Sequence, residues 1–195
     1  MSDAALTSSK ADLRAAALTR RDHLSAEHRA AAAQEIAARG LPFEIMQGAV
    51  VAGYSPIRSE IDPTPLMRNL AAHDVQLALP VIIAADQPLK FRAWSPGDRL
   101  QPGRLGILEP LPSAAEIIPD MLLVPLAAFD RSGHRIGYGA GHYDRTFAQL
   151  RASRTIIAVG LAFAAQEIPV IPASAHDARL DLVLTESETI DFRSS

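Results

Sequence analysis

Cysteine is absent from the sequence. Disulfide staples, thiolate zinc sites and cysteine nucleophiles are therefore all excluded, and the composition fits a reducing compartment. An excess of basic charge is missing too: the formal net charge is −3, so nothing global draws the chain to nucleic acid or to an acidic membrane surface, and any anion site must be local. The longest apolar run, Ile156 to Ala165, is far short of the ~18 residues that span a bilayer. Met1 to Lys10 has no basic segment feeding an apolar one, so no cleaved leader is expected and the chain reads as cytoplasmic. The histidines form no HxxxH or HxH set, which argues against a tight zinc site. No G-x-S-x-G elbow or Gly-Lys-Ser/Thr loop occurs either.

What is present is enough apolar material for one core: 195 residues, 48% hydrophobic and 21% charged, read as a single domain over 1–195. Ser8 to Arg39 has alanine-rich helical spacing that predicts one or two helices, broken near Ser25 and stopped by Gly40. Asp62-Pro63 supplies a cap and a first helical residue, so Thr64 to Ala72 is expected to be helical, and Gly141–Arg151 predicts another helix. Strands are expected at Ala49–Tyr54, Val75–Val81, Leu89–Trp94, Met121–Phe129, Thr155–Phe163 and Leu180–Thr185. These runs are nearly continuously apolar, as when helices cover both faces of a sheet. The fold class that follows is α/β, an open three-layer α/β/α arrangement with a mostly parallel, Rossmann-like sheet. Pro96 to Pro119 reads as a long connection packed over that sheet.

The segment from Asp130 to Arg145 is the most informative. Gly137, Gly139 and Gly141 alternate just before a helix, where backbone N–H groups can converge on an anion. The same glycines could simply make a sharp turn. Arg135 before the loop can pair with phosphate oxygens, and Asp144 one turn into the helix can hold a divalent cation. Lys10 and Arg14 share a face of the first helix, either as solvated cations or with an anion between them. Ser55 and Glu60 follow the first strand. Glu60 can accept two parallel N–H groups of a heterocycle or lie in a plain surface loop. Trp94 either stacks on a planar ligand or fills the core. Asp177 offers a second carboxylate, and oxygen ligands with bridging phosphates suit magnesium.

Taken together these residues resemble the 5-formyltetrahydrofolate cyclo-ligase family. The likeness runs through Lys10-x-x-x-Arg14, Tyr54-x-Pro56, Glu60-Ile61, Leu79-Pro80-Val81, Glu109-Pro110, Val124-Pro125, Ala128-Phe129-Asp130, the block Gly133–Arg145, and His176-Asp177 ahead of Asp181. Arg135-Ile-Gly-x-Gly-x-Gly-x-Tyr-Asp-Arg145 is its specific part. The resemblance implies ATP contacts from Lys10, Arg14, Arg135, Ile136, Gly137, Tyr138, Gly139, Ala140, Gly141, His142 and Tyr143. It implies folate contacts at Ser55, Glu60 and Tyr138 to His142, magnesium at Asp144 and Asp177, and catalytic roles for Arg135 and Tyr143. The implied reaction is ATP-dependent cyclisation of 5-formyltetrahydrofolate to 5,10-methenyltetrahydrofolate by a monomer, with no nucleic-acid or membrane partner. The implied fold is similar to that of phosphosugar isomerases and CoA-transferases. Three readings compete with it: an isomerase or transferase on that fold, a non-catalytic nucleotide-binding module, and a metal-dependent hydrolase using His142, Asp144, His176 and Asp177.

Overall fold

The computed structural model describes residues 9–174 and 177–193. In chain order its helices are α1 (Lys10–Asp22), α2 (Ala26–Arg39), α3 (Thr64–Ala71) and α4 (His142–Arg151). The strands are β1 (Val50–Ala52), β2 (Gln76–Val81), β3 (Lys90–Ala93), β4 (Leu100–Pro102), β5 (Leu108–Pro110), β6 (Met121–Pro125), β7 (Ala128–Phe129), β8 (Arg135–Ile136), β9 (Ile157–Leu161), β10 (Leu182–Leu184) and β11 (Thr189–Asp191). The break near Ser25 is present because two serines each start a helix. Ser9 Oγ accepts from the Asp12 N–H while the Asp12 carboxylate accepts from the Ser9 N–H, and Ser25 Oγ accepts from the His28 N–H. Gly40, at φ 67°, ends α2 with its N–H on the Ile36 carbonyl.

Seven strands form one sheet in the order β11-β10-β9-β6-β1-β2-β3. The pairs from β10 through to β2 are parallel, and the two edge strands, β11 and β3, are antiparallel to their neighbours. This is the expected α/β architecture. Register explains why the strands showed no polar alternation. Val51, Leu77, Leu79, Leu123, Val159 and Leu182 pack with Ile36, Leu66 and Met67 of α2 and α3. Their neighbours Ala52, Ala78, Leu122, Val124, Ala158 and Val183 face the other way, onto Phe147 of α4. Adjacent residues point to opposite faces, and both faces are covered by helices. No helix among the described residues is long and apolar enough to cross a membrane.

Three expectations need correction. Met121–Phe129 is not one strand: β6 ends at Pro125, which has no N–H to offer the ladder, and the Gln166 side-chain amide donates to the Leu126 and Ala127 carbonyls at 2.7 and 3.0 Å. The chain then enters a separate ribbon in which β7 pairs antiparallel with β8. The glycine loop consequently leaves a two-residue ribbon strand, not a long apolar one. Pro96–Pro119 is also more ordered than a connection, because β4 and β5 form a hairpin within it. Finally α3 starts at Thr64 as expected, but its N-cap is Pro63 and not Asp62, although Asp62 Oδ1 still accepts from the Thr64 N–H at 2.9 Å.

The chain runs from β1 to β2 on one side and returns to β6 on the other. Strand order therefore reverses beside β1, where open α/β sheets form a crevice beyond the strand carboxyl ends.

Candidate active site

A cavity of about 360 Å³ lies at that crevice, within the usual range for small-molecule sites. Pro125 at the end of β6, Tyr54 and Ser55 after β1, Pro80 of β2 and Ile82 just past it contribute to its floor and walls. The residues that the family resemblance implies as ATP, folate and magnesium contacts all line it: Lys10, Arg14, Ser55, Glu60, the run Arg135 to Tyr143, Asp144 and Asp177. Trp94 does not line it and packs against the sheet core instead. His176, needed by the hydrolase reading, lies outside the described residues.

At one end the glycine loop turns into α4. Gly139 and Gly141 have φ of 95° and 68°, a backbone region open chiefly to glycine, and Gly141 caps α4 with no side-chain hydrogen bond to the first turn. The loop rests on α1: Arg14 Nε donates to the Gly137 carbonyl at 2.7 Å, and a Cβ on Gly139 would stand 3.5 Å from Arg14 Nη2. Lys10 Nζ lies 2.6 Å from Asp177 Oδ2. Arg135, nearly buried, donates to the Ala178 carbonyl and, at 2.8 Å, to Asp144 Oδ1. Burial lowers the Arg135 pKa, and the charge and hydrogen bond of Asp144 oppose that shift. Burial raises Asp177, but hydrogen bonds from Lys10 and Ser174 more than reverse this and leave it at about 2.

No group of three or more His, Asp or Glu close enough to hold a metal occurs among the described residues. The two carboxylates still fit magnesium. Arg135 and the Ala178 N–H converge on Oδ1 of Asp144, while Lys10 and both Ser174 donors converge on Oδ2 of Asp177. The second oxygen of each carboxylate is left without a hydrogen bond among the described residues. Magnesium commonly takes one or two carboxylates and completes its shell with phosphate oxygens and water.

Beyond the charged residues the lining is mostly apolar: Ile57, Ile82, Leu89, Leu105 and Ile107 contribute to it, with Leu89 buried, the three isoleucines half-buried and Leu105 exposed. Ser55 Oγ donates to the Leu108 carbonyl at 2.5 Å, tying the end of β1 to the β4–β5 hairpin. Glu60 Oε2 accepts from the Ile57 N–H at 2.8 Å, and burial raises the Glu60 pKa. Burial also raises Tyr138, to about 12, and raises Tyr143 further still, so both phenols are neutral donors at neutral pH.

A model of the 5-formyltetrahydrofolate cyclo-ligase family matches residues 6–186. The chain belongs to that family. The 5-formyltetrahydrofolate cyclo-ligase of Escherichia coli (strain K12) is 31% identical over 180 residues, 89% of this chain and 98% of the relative. That of Mycolicibacterium smegmatis is 35% identical over 153 residues, 74% of this chain and 77% of the relative. A solved 5,10-methenyltetrahydrofolate synthetase from Aquifex aeolicus superposes with a TM-score of 0.79 at 30% identity, over 95% of this chain and 94% of the other. The family and these relatives support an enzyme with 5-formyltetrahydrofolate cyclo-ligase activity, a ligase of folate and one-carbon metabolism.

Around this cavity the structure brings in residues that the sequence reading missed. The hairpin residues Leu105 and Ile107 close one wall although they stand some 50 residues beyond Ser55. Arg21, only 1% exposed, lies behind the cavity with its Cζ 5.7 Å from the centre of the Tyr138 ring. Its signal was available, because Lys10, Arg14, Ala17 and Arg21 follow one another by steps of four, three and four and so form one stripe of α1.

Proposed function

We propose that the chain converts 5-formyltetrahydrofolate and ATP to 5,10-methenyltetrahydrofolate, ADP and phosphate. The observation that carries this reading is one cavity with two unlike ends: a glycine loop flanked by Lys10, Arg14 and Arg135, and an apolar pocket holding Glu60. A triphosphate fits the first end and a flat heterocycle with N–H donors fits the second.

The triphosphate approaches the uncapped first turn of α4 and the glycine-loop backbone, where N–H groups and the helix dipole favour negative charge. Lys10 and Arg14 close over it from α1. Glu60 accepts N–H donors of the pterin, and Ser55, Ile57 and Ile107 hold the ring with the formyl oxygen directed at the γ-phosphorus. A formamide oxygen is a weak nucleophile, so alignment and charge stabilisation supply the catalysis. As that oxygen bonds to the γ-phosphorus, the bond to ADP breaks, and Arg135 stabilises the charge on the transferring group. Tyr143, a phenol that is neutral at pH 7, donates a hydrogen bond there. N10 then attacks the activated carbon and loses its proton, and phosphate departs with the former formyl oxygen. Magnesium, when bound, adds positive charge at the phosphate oxygens, and Asp144 and Asp177 are the residues that would hold it.

The test is absorbance of the methenyl product from 5-formyltetrahydrofolate, magnesium and ATP, against the same mixture without ATP. Product that forms only with ATP is expected. Product at the same rate without ATP, or none in either mixture, overturns the proposal.

A further inference from the structure

Arg21 is the largest of the fully buried side chains, and its position is unusual. Its Nε donates to Ser59 Oγ at 3.0 Å, and Ser59 in turn donates to Asp22. The terminal nitrogens Nη1 and Nη2, both buried, complete no hydrogen bond among the described residues. The hydroxyl of Tyr138 is likewise buried and completes no hydrogen bond among the described residues, with Arg21 and Glu60 as its polar neighbours, and the guanidinium stands over the ring that carries it. A guanidinium is costly to bury without compensation, and the half-exposed Asp22, 4.0 Å from Nε, supplies little. Glu60, the residue after Ser59, is a further opposite charge near enough to feel the guanidinium.

We infer that Arg21 is a positioning residue of the folate end, one that keeps Glu60 a charged acceptor and seats Tyr138 beneath the ligand without touching the ligand itself. The inference rests on the cyclo-ligase reading and deepens it, since Arg21 does not line the cavity and acts only through residues that do. Glu60 is faced by Arg21 from α1, by Arg58 on its own loop, by Tyr138 of the glycine loop, by Tyr143 of α4 and by Tyr54 beyond β1. Only the two arginines are cations. Burial drives Glu60 towards its neutral acid, which has one fewer acceptor for the N–H donors of a heterocycle, and the two cations work against that drive. Arg58 is exposed and screened by water, so Arg21 is the cation whose field reaches Glu60 through the protein interior.

The test has an arm that needs no turnover. Carboxyl-carbon NMR of the full chain, with Glu60 assigned by its loss in Glu60→Gln, follows the Glu60 titration in wild type, Arg21→Lys and Arg21→Met. Arg21→Met should move the midpoint up by about one pH unit, and Arg21→Lys, which keeps the charge, by less. In the absorbance assay Arg21→Met should raise the folate KM at pH 7 about tenfold, with the acid limb of kcat/KM displaced upward and the ATP KM unchanged. In a Glu60→Gln background the same substitution should add nothing to the folate KM. A Glu60 midpoint unmoved in folded Arg21→Met, or effects of the two substitutions that multiply, overturns the inference. If Arg21→Met does not fold, Ser59→Ala releases the Nε anchor alone: a raised folate KM supports the role, and a midpoint and KM equal to wild type overturn it. A wild-type protein without cyclo-ligase activity would instead sink the functional reading, while the NMR arm would still decide whether Arg21 sets the charge of Glu60.

Discussion

At the glycine-loop end of the cavity Lys10 is paired with Asp177 and Arg135 with Asp144, whereas at the Glu60 end the terminal nitrogens of Arg21 and the Tyr138 hydroxyl complete no hydrogen bond among the described residues. The first end is wetter: the side chains of Lys10, Asp144 and Asp177 retain 33, 37 and 24% of their exposure. Its charges are compensated in advance, and a triphosphate entering must exchange one set of pairs for another, freeing cations for phosphate and carboxylates for metal. Such exchange is cheap where water screens the intermediates. The second end is drier around Glu60 and Tyr54, which keep 9 and 3% of their exposure although Leu105 on the hairpin stands open to water, so its polar groups are few, fixed and intolerant of mismatch. One end is organised for turnover of charge and the other for selection of a planar substrate.

The largest expected effect tests whether Arg135 belongs to phosphoryl transfer or merely to the pairing. Arg135→Ala should lower turnover by about 10²–10³-fold, as loss of a preorganised donor to developing charge does, while Tm falls by only several degrees. Its structural partners, Asp144 and the Ala178 carbonyl, lie at a partly wetted surface and can be rehydrated. Losses of turnover and stability that match would place Arg135 among the structural ion pairs and erase the contrast between the two ends.

Next comes the dry end. Glu60→Gln replaces a charged acceptor of two hydrogen bonds with a group that accepts on one side and donates on the other. The folate KM should rise about 10–100-fold, the worth of a charge-assisted hydrogen bond, with the ATP KM nearly constant. The opposite split, with ATP affected and folate spared, would mean that the two ends are assigned the wrong way round. Asp144→Asn probes the wet end more gently: it halves the charge offered to a metal, so the magnesium concentration for half-maximal rate should rise about tenfold. A magnesium titration superimposable on that of wild type would remove Asp144 from the metal's ligands.

Both ends differed also in how readable they were from sequence. The glycine loop, Arg135 and Asp144 lie within ten consecutive residues, and glycine spacing before a helix has a local physical meaning, so the wet end was legible. Lys10 and Arg14 were legible as a pair on one helical face. The alternation of β and α runs likewise gave the parallel core, because a strand buried on both faces must be apolar throughout. The dry end is assembled from distant segments. Leu105 and Ile107 sit on a short hairpin inside a Pro- and Gly-rich stretch, where strands of three residues leave no periodicity to detect. Arg21 stands in the run Arg20-Arg21-Asp22, which reads as a solvated helix end until the loop carrying Ser59 is folded over it. The break after Pro125 was hidden for a similar reason: it depends on a glutamine side chain 41 residues on that takes over the carbonyls.

The smallest effect separates electrostatic pairing from packing at the wet end. Asp177 is held at about 2, below its ordinary 3.8, by Lys10 and Ser174 against the upward push of burial. A carboxylate whose folded pKa is depressed adds stability that is complete above its unfolded value and is lost as pH falls through the folded one. The part due to Lys10 should therefore be present above about pH 4 and gone near pH 2. Lys10→Met removes it, and because the pair is a third exposed the loss should stay below about 1 kcal/mol and shrink in high salt. Lys10 also sits in the first turn of α1, where a cation opposes the helix dipole, so its removal adds a small opposite change that does not vary with acid pH. The informative quantity is thus the pH-dependent part of the difference in Tm between variant and wild type. A difference that closes on acidification shows Lys10 and Asp177 as a pair poised to be exchanged for ligand. A difference constant from pH 6 to pH 2 would make Lys10 a packing residue, and the wet end would then lack one of the cations on which its contrast with the Glu60 end depends.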